Sequence, residues 1–189
     1  MSFRRNLWLA IAGVALVQTA ALCWMIWDRV QLLANGREIT LQVVPVDPRS
    51  LFRGDYVILN YDISDVESPE QTRRMRRGET VYVTLKENQD GLWQAVRTST
   101  EAPAAGAPGE VVLKGSVRYA SAASVGTPGK ARVTYGIESF FVPEGTGREL
   151  EKLVQDRKLS ALIAVDDDGN AGIKGLMVDG QRVYEEPLL

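Results

Sequence analysis

The first feature of the chain is an uninterrupted apolar segment close to its N-terminus. Residues Leu7 to Trp27 carry no charge, and Gln18 and Thr19 are the clearly polar side chains among them. As an α-helix this segment would extend for about 31 Å, enough to cross the roughly 30 Å hydrocarbon core of a bilayer. The pattern therefore predicts a transmembrane anchor that contacts the lipid bilayer through Leu7 to Trp27.

A cleaved signal peptide is the alternative interpretation of this segment. Its apolar core is normally about 7–15 residues long and is followed by small residues at the cleavage site. Here the run is longer, and it closes on the bulky sequence Cys23-Trp24-Met25-Ile26-Trp27. We therefore expect the anchor to be retained. Arg4 and Arg5 precede the run, so the positive-inside rule places the N-terminus in the cytoplasm and the remainder outside.

After the anchor, apolar and polar residues alternate in short runs, which is the pattern of half-buried strands. In the first of these runs Ile39, Leu41 and Val43 alternate with Thr40, Gln42 and Val44. The later runs predicted as strands are Tyr56–Tyr61, Thr80–Leu85, Leu92–Val96, Val111–Tyr119, Ala131–Ile137, Phe140–Val142, Leu159–Val165, Ile173–Val178 and Gln181–Tyr184.

A single soluble segment shows helical periodicity. Within Arg148–Lys158, the apolar residues Leu150, Leu153 and Val154 are spaced i, i+3 and i+4, so they would form one face of an amphipathic helix. The predicted fold class is therefore α+β: an N-terminal transmembrane helix followed by one β-rich domain, barrel-like or sandwich, with one amphipathic helix. Residues 1–30 would be the cytoplasmic tip and anchor, and 31–189 the extracytoplasmic domain.

The amino-acid composition limits the kinds of binding and catalytic site that this domain can contain. The chain has 189 residues with 22 Lys+Arg against 24 Asp+Glu, and this net charge of -2 predicts no binding to nucleic acid. It contains no histidine, and its one cysteine, Cys23, lies in the anchor. Histidine-dependent triads, histidine-ligated zinc and thiolate clusters are thus excluded. We expect no catalytic residues, no metal site, no cofactor and no enzymatic activity.

One motif gives a specific resemblance. Residues 54–61 read GDYVILNY and fit the pattern G-D-Y-x-x-L-x-Y at every specified position. Later segments, Tyr135-Gly136-Ile137-Glu138 among them, also resemble the GDYXXLXY family, which comprises bacterial membrane-anchored proteins of unknown biochemical activity. The resemblance implies a location in the bacterial inner membrane with a periplasmic domain. Because members are often encoded beside multi-pass membrane proteins, it also implies an integral membrane partner.

The motif has a structural and a functional interpretation. Alternation along the strand would place Val57, Leu59 and Tyr61 on one face of the sheet, so the motif could serve the fold. Its density of Tyr, Arg and Asp would equally suit a surface that engages the partner. The candidate motif and partner-binding residues are Asp47, Arg49, Arg53, Gly54, Asp55, Tyr56, Leu59, Tyr61, Tyr135 and Glu138.

The sequence thus predicts a membrane-anchored extracytoplasmic binding or assembly module, and two alternative functions remain open. Type I signal peptidases also have a membrane anchor and a Gly-Asp turn, and their Ser-Lys pair requires no histidine. Here Ser50 lacks the Ser-x-x-Pro element, and Val46 stands where their nucleophile would align. A ligand- or ion-sensing domain is the other alternative. The segment Asp166 to Asn170 offers oxygen atoms that could bind Ca²⁺. An EF-hand calcium loop requires a glutamate at its twelfth position, however, and in a loop beginning at Asp166 that position is Met177.

Overall fold

The protein begins with one long helix and continues as a strand-rich domain. The computed structural model describes residues 2–45, 56–68, 75–103, 107–121, 129–142 and 146–185. Over these residues it contains α1 (Ser2–Asn35), a second helix α2 (Gly147–Gln155) and one short 3₁₀ helix (Asp62–Ser64). The predicted order of an apolar helix followed by a β-rich domain with one amphipathic helix is confirmed.

Eleven strands are present in the described residues. They are β1 (Arg37–Gln42), β2 (Tyr56–Ile58), β3 (Asp65–Glu67), β4 (Thr80–Glu87), β5 (Trp93–Ser99), β6 (Glu110–Ala120), β7 (Lys130–Thr134), β8 (Ser139–Phe141), β9 (Leu159–Val165), β10 (Ala171–Val178) and β11 (Gln181–Glu185).

The strands form three antiparallel sheets that together make a nearly barrel-like domain. The first has the order β1-β9-β10-β11, the second the order β3-β7-β6-β4-β5, and the third pairs β2 with β8. Edge strand β1 of the first sheet lies beside edge strand β5 of the second. Their inward-facing side chains form one hydrophobic core that also includes residues of α2.

The strand prediction differs from the structure at several boundaries and in one missing strand. The strand predicted for Ala131–Ile137 ends at Thr134. The strand predicted for Tyr56–Tyr61 ends at Ile58, and Tyr61 forms an isolated bridge with Val43 instead. Strand β3 was not predicted, because Asp65 and Glu67 flank a single buried residue, Val66, and three residues are too few to establish a period.

Helix α1 joins the domain without an intervening linker. It includes a stretch, Asn6–Asn35, that is long and apolar enough to cross a membrane and contains an 18-residue window with a mean hydropathy of 2.0. Leu32 and Leu33, in its last turns, are buried, and α1 packs on β9 and β10. The Arg29 guanidinium donates a hydrogen bond to the carbonyl oxygen of Ala171 at 3.2 Å. The end of the long helix is therefore part of the domain.

Small residues in the sheet permit this close packing. A Cβ atom at Gly172 in β10 would lie 3.0 Å from a methyl group of Leu33 and 2.8 Å from the Arg29 guanidinium. Every residue of β9 is buried, which is expected for a strand covered on both faces. The helix thus covers one face of the first sheet while the core covers the other.

Candidate functional site

The structure describes only part of the predicted site. Asp47, Arg49, Arg53, Gly54 and Asp55 lie outside the described residues, and Tyr56 is described by its backbone alone. The other four candidates, Leu59, Tyr61, Tyr135 and Glu138, belong to one connected region. It consists of the second half of the motif and the segment from the end of β7 to β8.

The second half of the motif faces the core. Val57, Leu59 and Tyr61 are each at most 1% exposed, whereas Ile58 and Asn60 between them are half-buried. The predicted alternation of the motif is therefore confirmed over these residues. Apolar burial of this extent stabilises the fold, and a fully buried leucine contributes roughly 1.5–3 kcal/mol.

Backbone pairing joins the motif to the segment that contains Glu138. In the β2–β8 ladder, Tyr56 lies opposite Phe141 and Ile58 opposite Ser139. The contact continues beyond the ladder, because the Leu59 amide donates to the carbonyl oxygen of Glu138 at 2.9 Å. Two segments that both resemble the family are thus neighbours in the fold.

Two buried tyrosines link the same segments reciprocally. The Tyr61 hydroxyl donates a hydrogen bond to the carbonyl oxygen of Ile137 at 2.6 Å, and the Tyr135 hydroxyl donates to that of Ile63 at 2.7 Å. Each ring therefore fills core volume while its hydroxyl satisfies a buried carbonyl of the other segment, as buried polar groups require.

The Glu138 carboxylate holds the turn between β7 and β8. Its Oε1 accepts the backbone N–H of Tyr135 at 2.5 Å, and its Oε2 accepts that of Gly136 at 3.0 Å. Hydrogen bonds to an ionised carboxylate are stronger than those between neutral groups. Glu138 consequently fixes the backbone that carries Tyr135.

The electrostatics of the site do not favour proton transfer by the tyrosines. Burial, reinforced by the negative charge of Glu138, raises the pKa of the Tyr61 hydroxyl well above its ordinary value. The same causes raise the pKa of Tyr135. Both phenols therefore stay neutral at physiological pH and act as hydrogen-bond donors.

An ion pair stabilises the outer side of the region. Arg132 of β7 donates to the Asp65 carboxylate at 2.8 Å and to the Asn60 side-chain oxygen at 2.5 Å. Asn60 is one of the unspecified positions of the motif. Its backbone carbonyl oxygen accepts a hydrogen bond from the backbone N–H of Val44 at 2.8 Å. The structure thereby adds Asn60 and Arg132 to the residues that hold the motif in place.

Gly115 is another residue that the sequence did not single out. It lies in β6, where a Cβ atom would be 2.3 Å from a methyl group of Val133 and 3.0 Å from the Tyr135 ring. Real side chains do not come within 2.3 Å, so any larger residue would displace the Val133 side chain and crowd the Tyr135 ring. A lone glycine within a predicted strand is the signal that could have indicated this close approach.

The acidic turn predicted between β9 and β10 is also structural. One Asp166 oxygen accepts the amides of Asp168 and Asn170 at 3.0 and 2.8 Å, and the other accepts the Asn170 side chain. The turn borders a cavity of about 580 Å³ whose lining includes Arg37 and Lys114. Within the described ranges, no group of three or more Asp, Glu or Cys residues is placed to hold a metal ion.

Comparison with known proteins supports the resemblance. A family model described as GDYXXLXY protein matches residues 18–176, from the middle of α1 to β10. Among curated proteins and solved structures, none matches this chain. The match extends over more than half of the chain and includes the motif itself. This protein therefore belongs to the GDYXXLXY family.

Proposed function

We propose that this protein is a membrane-anchored binding module that assists an integral membrane partner from outside the cytoplasm. In this proposal α1 crosses the bacterial inner membrane once, with its N-terminus inside. Residues 31–189 form a periplasmic domain that contacts the partner. The role is one of assembly or stabilisation and involves no catalysis.

The observation that carries the proposal is the rigid connection between α1 and the domain. The helix continues unbroken to Asn35, and Leu32 and Leu33 near its end are buried where it packs on β9 and β10. A domain on a flexible linker samples many orientations, whereas this arrangement gives the domain a fixed height and orientation relative to the span. Such restriction to the membrane raises the effective concentration beside a partner in the same bilayer.

Composition supports a role without catalysis. The absence of histidine removes the commonest general base, and Cys23 lies within the apolar helix. The buried tyrosines and Glu138 are engaged in hydrogen bonds to the backbone. These residues thus support a stable surface around the motif, and the Arg and Asp residues of 47–55 remain the predicted contacts to the partner.

The proposed orientation predicts a clear labelling pattern. In a Cys23→Ser background, a cysteine at Gln181, exposed in the last hairpin, should react with a membrane-impermeant maleimide in intact spheroplasts. A cysteine at Ser2 should react after lysis only. The reverse pattern would invert the topology, and a mature N-terminus beyond Trp24 would show that the helix is cleaved.

Contact with the partner can be tested by crosslinking in native membranes. The intact protein should crosslink to one integral membrane protein, and tagging that protein should in turn recover this chain. Arg49→Ala combined with Arg53→Ala should reduce the crosslink at least fivefold. The matched pair Arg76→Ala and Arg77→Ala, which is exposed and lies outside the motif in sequence, should leave it unchanged. Equal yields from both pairs would remove the motif arginines from the interface.

A further inference from the structure

A polar side chain lies near the centre of the proposed membrane span. Gln18 is one residue from the midpoint of the apolar run Leu7 to Trp27, and its side chain is exposed on α1. Thr19 beside it can hydrogen-bond to a carbonyl of its own helix, but the longer amide of Gln18 both donates and accepts and cannot be satisfied in that way. In hydrocarbon such a group requires a partner from another helix.

Gln18 shares one face of α1 with the residues that pack on the domain. A helix has 3.6 residues per turn, so Leu22, Met25, Arg29 and Leu33 follow Gln18 at i+4, i+7, i+11 and i+15 on about the same side. Leu33 is buried against the sheet and Arg29 is hydrogen-bonded to it. Leu22 and Met25 are 60% and 66% exposed. The domain therefore projects over the side of the span that carries Gln18.

This geometry excludes a symmetric pair of identical chains joined through Gln18. If two parallel copies of α1 met on this face, each domain would have to occupy the space taken by the other. A transmembrane helix that packs on the Gln18 face of α1 must instead end near the outer membrane surface, beneath the domain. A transmembrane helix of a multi-pass membrane protein, which ends in a loop at that surface, meets this requirement.

An exposed aromatic side chain lies where such a helix would end. Phe141 of β8 is 78% exposed, and it shares a depression of about 220 Å³ with Arg29 and Ile173. Arg29 follows the apolar run by two residues, so Phe141 lies close to the level of the membrane surface. Aromatic rings at this level are favourable both in the interface and against a helix end.

We propose that the α1 face formed by Gln18, Leu22 and Met25 docks one transmembrane helix of an integral membrane protein. That helix presents a hydrogen-bonding side chain to Gln18 at mid-membrane depth and ends beneath the domain at Phe141. The proposal rests on the proposed function, since it requires the anchor to span the membrane beside a partner. It deepens that function by assigning part of the interface to the bilayer.

The test places a photoreactive amino acid in α1 of the full-length chain in its native membrane. At Leu22 it should crosslink to a single transmembrane peptide of another protein, and mass spectrometry should find a polar residue at matching depth in that peptide. At Leu16, two residues before Gln18 and on the opposite side of the helix, the yield should be at least fivefold lower.

Matched substitutions isolate the contribution of the amide. Gln18→Leu should lower the Leu22 crosslink roughly three- to tenfold, the range expected for an interhelical hydrogen bond in a membrane. Gln18→Asn should restore part of it, and Thr19→Val should leave the yield within about twofold because that hydroxyl can bond to its own helix.

Three outcomes would overturn the proposal: equal yields at Leu22 and Leu16, a product consisting of two copies of this chain, or a yield unaffected by Gln18→Leu. If the domain still crosslinks to an integral membrane protein in those cases, the proposed function stands and the docking face alone is wrong. If neither the domain nor α1 crosslinks to one, both proposals fail.

Discussion

Above pH 10 the free energy of unfolding of the intact protein should fall by up to about 3 kcal/mol per pH unit through its two buried tyrosines. Unfolding exposes both phenols, which then ionise above their ordinary pKa of 10.0, whereas burial keeps the pKa of Tyr61 and Tyr135 higher in the folded state. Their contribution is complete below pH 10. Above it, each loses about 1.4 kcal/mol per pH unit.

Urea unfolding of the detergent-solubilised protein at a series of pH values measures this slope. The control is the double variant Tyr61→Phe with Tyr135→Phe, which cannot ionise at these positions. At neutral pH it should already be less stable, because the carbonyl groups of Ile137 and Ile63 lose their donors at about 1–3 kcal/mol each. Above pH 10 its stability should change much less. If its slope equals that of the unmodified protein, the tyrosines are not the cause of the alkaline lability.

Leu59→Ala should destabilise the protein by about 2–5 kcal/mol, since it removes a large side chain from a closely packed core. Leu59 is fully buried, and the matched change Ile58→Ala affects the neighbouring, half-buried position on the other face of the strand. We expect the Ile58 variant to lose less than half as much. Urea unfolding under one set of conditions compares the two. Similar losses would mean that the specified leucine of the motif has no special role in packing.

The fold class could be predicted because most helices and strands show the spacing of apolar residues that is typical of their type. The alternation around Ile39 and Leu41 indicated β1, and the boundaries of β9 were predicted at Leu159 and Val165, as observed. Strand β3 could not be predicted, because its pairing with β7 and the burial of Val66 depend on the tertiary structure. The arrangement of the strands into three sheets depends on contacts between distant segments, which a local pattern does not contain.

The same limit applies to the candidate site: features within one short segment could be predicted, but contacts between distant segments could not. The motif spacing indicated that Leu59 and Tyr61 share a face, and both are buried. The sequence could not indicate that Tyr61 donates to Ile137 or that Tyr135 donates to Ile63, because more than 70 residues separate the partners. Whether the residues from Asp47 to Asp55 contact a partner stays a prediction.

The strand directly after the long helix has a consequence for biogenesis. In β1, Arg37 pairs with Val165 and Gln42 with Ser160, so the first strand to be synthesised must wait for one of the last. Contacts of such high sequence separation are associated with slow folding. On the topology proposed above, β1 and the motif strand would leave the membrane with unpaired edges and exposed apolar side chains, which makes them prone to aggregation. On this topology, the domain should therefore depend on periplasmic chaperones until β9 has crossed the membrane.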